Sequence, residues 1–204
     1  MTEIRAVLFD FGGVLAEEGF REGLKAIARK NGLEPEEFYN FVTEYIFECG
    51  YLTGQTTEET FWQGLREKKG VKGTDEELRS EILDRFVLRE EILQLVKELK
   101  TKGLTVAILS DQTNWLDELE KRHHFFHLFD HVFNSYHIKR SKREVQLFRD
   151  VASWMGLKPG QVLFVDDSPQ NVQRATEVGM KAVVFNGVDE LRGVLLKNYG
   201  QVRG

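Results

Sequence analysis

Four short apolar runs constrain this chain more than any other feature: Ala6-Val7-Leu8-Phe9, Thr105-Val106-Ala107-Ile108-Leu109, Val162-Leu163-Phe164-Val165 and Lys181-Ala182-Val183-Val184-Phe185. None alternates polar with apolar residues, so each has the pattern of a strand covered on both faces, as in a parallel sheet. His131-Val132-Phe133-Asn134 is a weaker fifth strand. Between the later runs the apolar residues take helical spacing: Ile92, Leu95, Val96 and Leu99, then Leu116 and Leu119, then Val145, Phe148, Val151 and Ala152. Parallel strands need crossovers, so this alternation predicts an α/β fold built on a doubly wound, Rossmann-like parallel sheet with right-handed connections.

The interval from 16 to 86 breaks the alternation, carrying helix signals and no convincing strand. It reads as a helical insertion, leaving 1–15 and 87–204 as the core. Pro35 suits a first helical turn, and Thr56 with Glu59 and Thr74 with Glu77 each fit a capping box. The glycine-containing stretches 50–54 and 70–73 read as turns between these helices. Phe38, Phe41, Tyr45, Phe47, Tyr51, Phe61 and Trp62 are expected mostly to fill the insertion's own core, with one or two facing a ligand.

Composition narrows the partners. With 41% hydrophobic and 30% charged residues the chain is globular, and a net charge of −5 gives no footprint for a polyanion, so nucleic acid is not expected. A single cysteine, Cys49, cannot form an internal disulfide or a thiolate metal site. No apolar run approaches membrane-spanning length and the first residues lack a secretory pattern, so the expected location is cytoplasmic, with no membrane partner. Oligomeric state is not legible.

Open α/β sheets bind ligands beyond the carboxyl ends of their strands. Those ends read Phe9-Asp10-Phe11-Gly12-Gly13, Leu109-Ser110-Asp111, Phe133-Asn134-Ser135 and Val165-Asp166-Asp167-Ser168. An aspartate after a buried strand, followed by two glycines, presents a carboxylate at a cleft where backbone amides can approach an anion, although a plain turn has the same composition. Adjacent carboxylates at Asp166 and Asp167 repel unless a cation lies between them and a further partner, and magnesium with Asp10 opposite meets that need. The simpler alternative is that the pair caps the helix announced by Ser168-Pro169.

In this order the motifs resemble those of the haloacid dehalogenase superfamily of hydrolases, over essentially the whole length: Asp10-Phe11-Gly12-Gly13-Val14-Leu15, Ser110, Lys142, then Asp166-Asp167 with Asn171, Ala175 and Gly179. The insertion is placed as in the subfamily with an α-helical cap. The resemblance implies a phosphatase of a small phosphorylated metabolite, with Asp10 as nucleophile forming an aspartyl-phosphate. It implies magnesium held by the Asp10 and Asp167 carboxylates and the Gly12 carbonyl, with Asp166 nearby or acting through water. Ser110 and backbone amides around Phe11, Gly12 and Asp111 would bind phosphate, and Lys142 would neutralise charge.

Two departures matter. Lys142-Arg143-Glu144 replaces the Lys-Pro-acid pattern of relatives, and Lys139 and Arg140 compete for the lysine's role. Gly12 stands where related phosphatases carry a second aspartate serving as acid and base, a loss of about 10²- to 10⁴-fold in rate. Either the substrate has a leaving group needing little protonation, such as an anomeric or acyl phosphate, or another acid serves, from Glu17, Glu18 or Asp111. A dehalogenase of the same superfamily and a non-catalytic phosphate binder are the alternatives. All five histidines fall between His123 and His137; His123 and His127 could share a helix face, but helix-end and loop positions explain them better than a metal site.

Overall fold

The apolar runs lie side by side. In a computed structural model of the chain, which describes residues 3–199, they form β1 (Ala6–Phe9), β2 (Thr105–Ser110), β4 (Val162–Asp166) and β5 (Lys181–Val184), and the weaker candidate forms the edge strand β3 (His131–Asn134). The sheet order is β3-β2-β1-β4-β5 and every pairing is parallel. β1, β2 and β4 are almost wholly buried because alternate residues enter two different cores. Val7 and Phe9 pack on one side, while Ala6 and Leu8 pack on the other with Phe148, Val151 and Phe164.

Among the described residues, ten α-helices follow the pattern of the sequence. α1 (Gly19–Lys30), α2 (Pro35–Glu48), α3 (Glu58–Lys69) and α4 (Asp75–Leu83) fill the interval after β1; α5 (Glu90–Thr101), α6 (Trp115–His123), α7 (Ser135–Ile138), α8 (Val145–Trp154), α9 (Pro169–Glu177) and α10 (Val188–Tyr199) surround the sheet. Ile92, Leu95, Val96 and Leu99 form the buried face of α5. Pro35 opens α2, and the Thr74–Glu77 capping box forms, with both reciprocal bonds present.

The other expected box does not form. Thr57 caps α3, its Oγ1 accepting from the Thr60 amide at 3.2 Å, while the Thr56 hydroxyl donates to the Cys49 carbonyl. Either threonine suits an N-cap although only Thr56 has the box spacing, and the approach of the α2 C-terminus decided between them. His123 and His127 do not share a helix face either. His124 takes a left-handed conformation with φ 51° and ends α6, leaving His127 in a separate short turn. No helix among the described residues is long and apolar enough to cross a membrane.

The helices after β1 rest on the carboxyl ends of the strands. Trp62 stacks on Trp115 with ring centroids 5.7 Å apart, making one continuous core. Tyr51 Oη donates to Asn114 Oδ1 at 2.7 Å, Lys139 Nζ donates to the Gly54 carbonyl, and Arg143 pairs with Glu44 while lying 3.6 Å above the Phe47 ring.

Candidate active site

Register builds the site. Phe9 pairs with Val165 in β4 and with Ile108 in β2, so Asp10 comes level with Asp166 and one step short of Ser110. Asp10 is fixed by its amide donating to the Val165 carbonyl at 2.8 Å, and its Oδ1 accepts the Phe11 amide at 2.7 Å. Lys142 Nζ stands 2.8 Å from Asp10 Oδ2 and 2.7 Å from Asp166 Oδ2, with its side chain only 2% exposed. Asp166 has no exposure, and its oxygens also accept the Ser168 amide and the Asn171 side-chain amide.

Three carboxylates therefore crowd one ammonium. Asp10, Asp166 and Asp167 each bring an oxygen within 4.8 Å of the others, and among the described residues they are the group of acids, histidines and cysteines able to hold a metal. Burial pushes the Asp10 pKa well above the usual carboxylate range, with Lys142 pulling it back and Asp166 adding to the rise. Asp167 is raised by burial and then by Asp166. Lys142 stays charged: burial works against the ammonium, and Asp10 and Asp166 outweigh it. Hard oxygen donors with surplus negative charge suit a divalent cation such as magnesium.

Gly13 makes this crowding possible. Its φ is +77°, and a Cβ there would lie 2.1 Å from Asp167 Oδ2, so the carboxylate occupies the space a side chain would take. Gly12 differs: its backbone lies outside the left-handed region.

Asp10, Gly12, Ser110, Asp111 and Lys142 share the wall of one cavity of about 250 Å³. The structure brings these residues together, and of the three basic residues Lys142 is the one that meets Asp10. Lys139 points to Gly54, and Arg140 pairs with Glu144 and Asp150, so neither meets Asp10. Phe11 differs from expectation, giving its amide to Asp10 and burying its ring against Phe86 and Phe125. The Asp111 carboxylate accepts the Ser135 hydroxyl and the Lys142 amide, which pins the loop carrying the lysine.

Sequence reasoning missed Tyr39, Thr43, Gln112, Thr113 and Trp115, which line the same cavity. Of the aromatic set in the insertion, Phe47 reaches it, while Phe38, Tyr51, Phe61 and Trp62 are buried in the core. Gln112, Thr113 and Trp115 follow the end of β2 directly, and that proximity was the available signal. Trp115 is fully buried, and its Nε1 is the buried side-chain polar atom without a hydrogen-bond partner among the described residues.

Residues 4–179 match the model of a family described as haloacid dehalogenase-like hydrolases. The chain belongs to that family. As a hydrolase it is 25% identical to the enolase-phosphatase E1 of Aquifex aeolicus, covering 91% of this chain and 92% of that protein. It is 26% identical to mouse bifunctional epoxide hydrolase 2 across 93% of its own length, but spans only 38% of that longer protein. Among solved structures, a haloacid dehalogenase family enzyme from Bacteroides thetaiotaomicron superposes with a TM-score of 0.77 at 25% identity, covering 95% of this chain and 99% of that one. The same enzyme has been crystallised with magnesium and inorganic phosphate, a structure matching this hydrolase with a TM-score of 0.69 at 23% identity over 89% of this chain and 93% of that one.

Proposed function

We propose that this hydrolase is a magnesium-dependent phosphatase of a small phosphorylated metabolite, working through an aspartyl-phosphate at Asp10. The observation that carries the reading is Asp10 itself, a buried carboxylate held by Lys142, facing a cavity and crowded by Asp167. Asp10 and Asp167 would be the carboxylate ligands, with the Gly12 carbonyl beside them; Asp166, its oxygens already engaged, would orient Lys142. When bound, the cation supplies positive charge against the phosphoryl oxygens.

The remaining steps belong to the chain. Asp10 attacks phosphorus, the leaving oxygen departs, and water then cleaves the aspartyl-phosphate. Ser110 donates to a phosphoryl oxygen from the end of β2, and Lys142 stabilises charge as it passes from carboxylate to phosphoryl group. The cavity's volume of about 250 Å³ fits a small substrate, and residues 16–86 act as a cap that closes the site from water and selects what enters. The phosphatase and the magnesium–phosphate complex among the relatives support this reading. A dehalogenase would leave Asp167 crowded by Asp166 with no cation to relieve it, so that alternative fits the charges less well.

A screen of small phosphate monoesters with and without magnesium tests the proposal. Turnover should require the metal and fall by about 10³-fold or more in Asp10→Asn. Phosphate release that survives the substitution would end it.

A further inference from the structure

Position 12 lacks a side chain, yet the place beside it is filled. A Cβ built on Gly12 would stand 3.2 Å from Glu18 Oε2 and 3.4 Å from the Phe86 ring. The Gly12 backbone would accept an ordinary side chain, so the neighbouring carboxylate, and not strain, occupies that volume. Glu18 lines the same cavity as Asp10, Ser110 and Lys142. Its Oε1 is anchored, accepting the Arg21 amide at 3.1 Å as the cap of α1, which leaves Oε2 toward the site.

Neither of the other two candidates supplies one of the atoms nearest that position, and each has partners of its own. Glu17 turns outward and is held by Arg89 at 2.9 Å and 3.1 Å. Asp111 accepts Ser135 and the Lys142 amide through Oδ1. Accordingly, we infer that Glu18 is the catalytic residue that moves protons at the leaving oxygen and at the attacking water, supplying from the start of α1 what position 12 has lost. The inference rests on the phosphatase reading above and deepens it.

The atoms balance. In the first transfer an Asp10 oxygen bonds to phosphorus, the bond to the leaving oxygen breaks with its electron pair going to that oxygen, and the proton of Glu18 Oε2 follows. In the second, a water oxygen bonds to phosphorus, its proton goes to Glu18 Oε2, and the phosphorus–Asp10 bond breaks, returning the electron pair to the carboxylate. Glu18 ends as it began, and alcohol and phosphate are released.

The test compares Glu18→Gln with wild type on two probes, phenyl phosphate and 4-nitrophenyl phosphate. Glutamine keeps the Oε1 acceptor that caps α1, so the fold is retained. The kcat/KM for phenyl phosphate, whose leaving oxygen needs the proton, should fall about 10²-fold or more, while that for 4-nitrophenyl phosphate falls less than about fivefold. Because the water step is also slowed, 4-nitrophenol should appear as a burst matching the enzyme concentration. Equal losses on both probes without a burst, or no loss on either, would overturn the role of Glu18. Gly12→Asp combined with Glu18→Ala should regain at least about tenfold on phenyl phosphate over Glu18→Ala alone; no gain counts against the inference. If wild type releases phosphate from neither probe, the phosphatase reading itself falls and this inference with it.

Discussion

Two of the charge-lined cavities among the described residues differ in how their charges are balanced, and the larger of the two is the better paired. A groove of about 630 Å³ between α1 and α4 is walled by Lys30, Asn31, Glu77, Glu81, Asp84 and Arg85, while the cavity over the strand ends measures about 250 Å³. In the groove opposite charges sit together: Glu81 pairs with both Lys30 and Arg85, and Glu77 completes the α4 capping box. Over the strand ends three carboxylates cluster, and Lys142 pairs with two of them, Asp10 and Asp166. Local neutrality leaves a surface nothing to do, whereas a held imbalance favours any ligand that removes it.

That contrast can be broken at its strongest point first. Lys142→Met strands two buried carboxylates and should cost about 3–5 kcal/mol in urea unfolding, whereas Lys30→Met, at a lysine 66% exposed, should cost no more than about 1 kcal/mol. Equal costs would erase the distinction. Gly13→Ala sharpens it from the metal side. A left-handed non-glycine residue costs about 1–3 kcal/mol, and the new Cβ displaces Asp167. Magnesium at about 100 times its Kd should stabilise wild type by about 2.7 kcal/mol, and this gain should vanish in the variant. A thermal shift with magnesium that persists in Gly13→Ala would remove Asp167 from the ligand set.

The smallest effect lies in the groove. Lys30 first, then Arg85, holds the Glu81 carboxyl below its usual range. A depressed pKa stabilises the fold above the unfolded value, and this contribution is lost as pH falls through the folded value. Glu81→Gln should therefore cost about 1 kcal/mol at pH 7 and almost nothing by about pH 3, measured as the shift in urea midpoint. A cost independent of pH would mean packing, not charge, is lost.

Much of this was legible before any fold was drawn. The strands announced themselves because a run buried on both faces must be apolar throughout, and even the edge strand His131–Asn134 kept enough of that pattern to be found. The Thr74–Glu77 box was readable because capping is settled within one helical turn, while Thr56 failed because its hydroxyl was drawn to the Cys49 carbonyl and Thr57 took the cap without a box. Phe11 kept its amide for Asp10, a choice between two acceptors that spacing does not rank.

By itself, then, the sequence determined which residues stand at the strand ends, since hydrophobic patterning and turn chemistry act over a few residues. Tertiary structure decided that Lys142, not Lys139 or Arg140, lies against Asp10, and that Glu18, not Glu17 or Asp111, stands over Gly12. Those outcomes depend on where a loop and a helix start pass in space once both cores have closed, and pairing across such distances is set by packing, which local sequence does not encode.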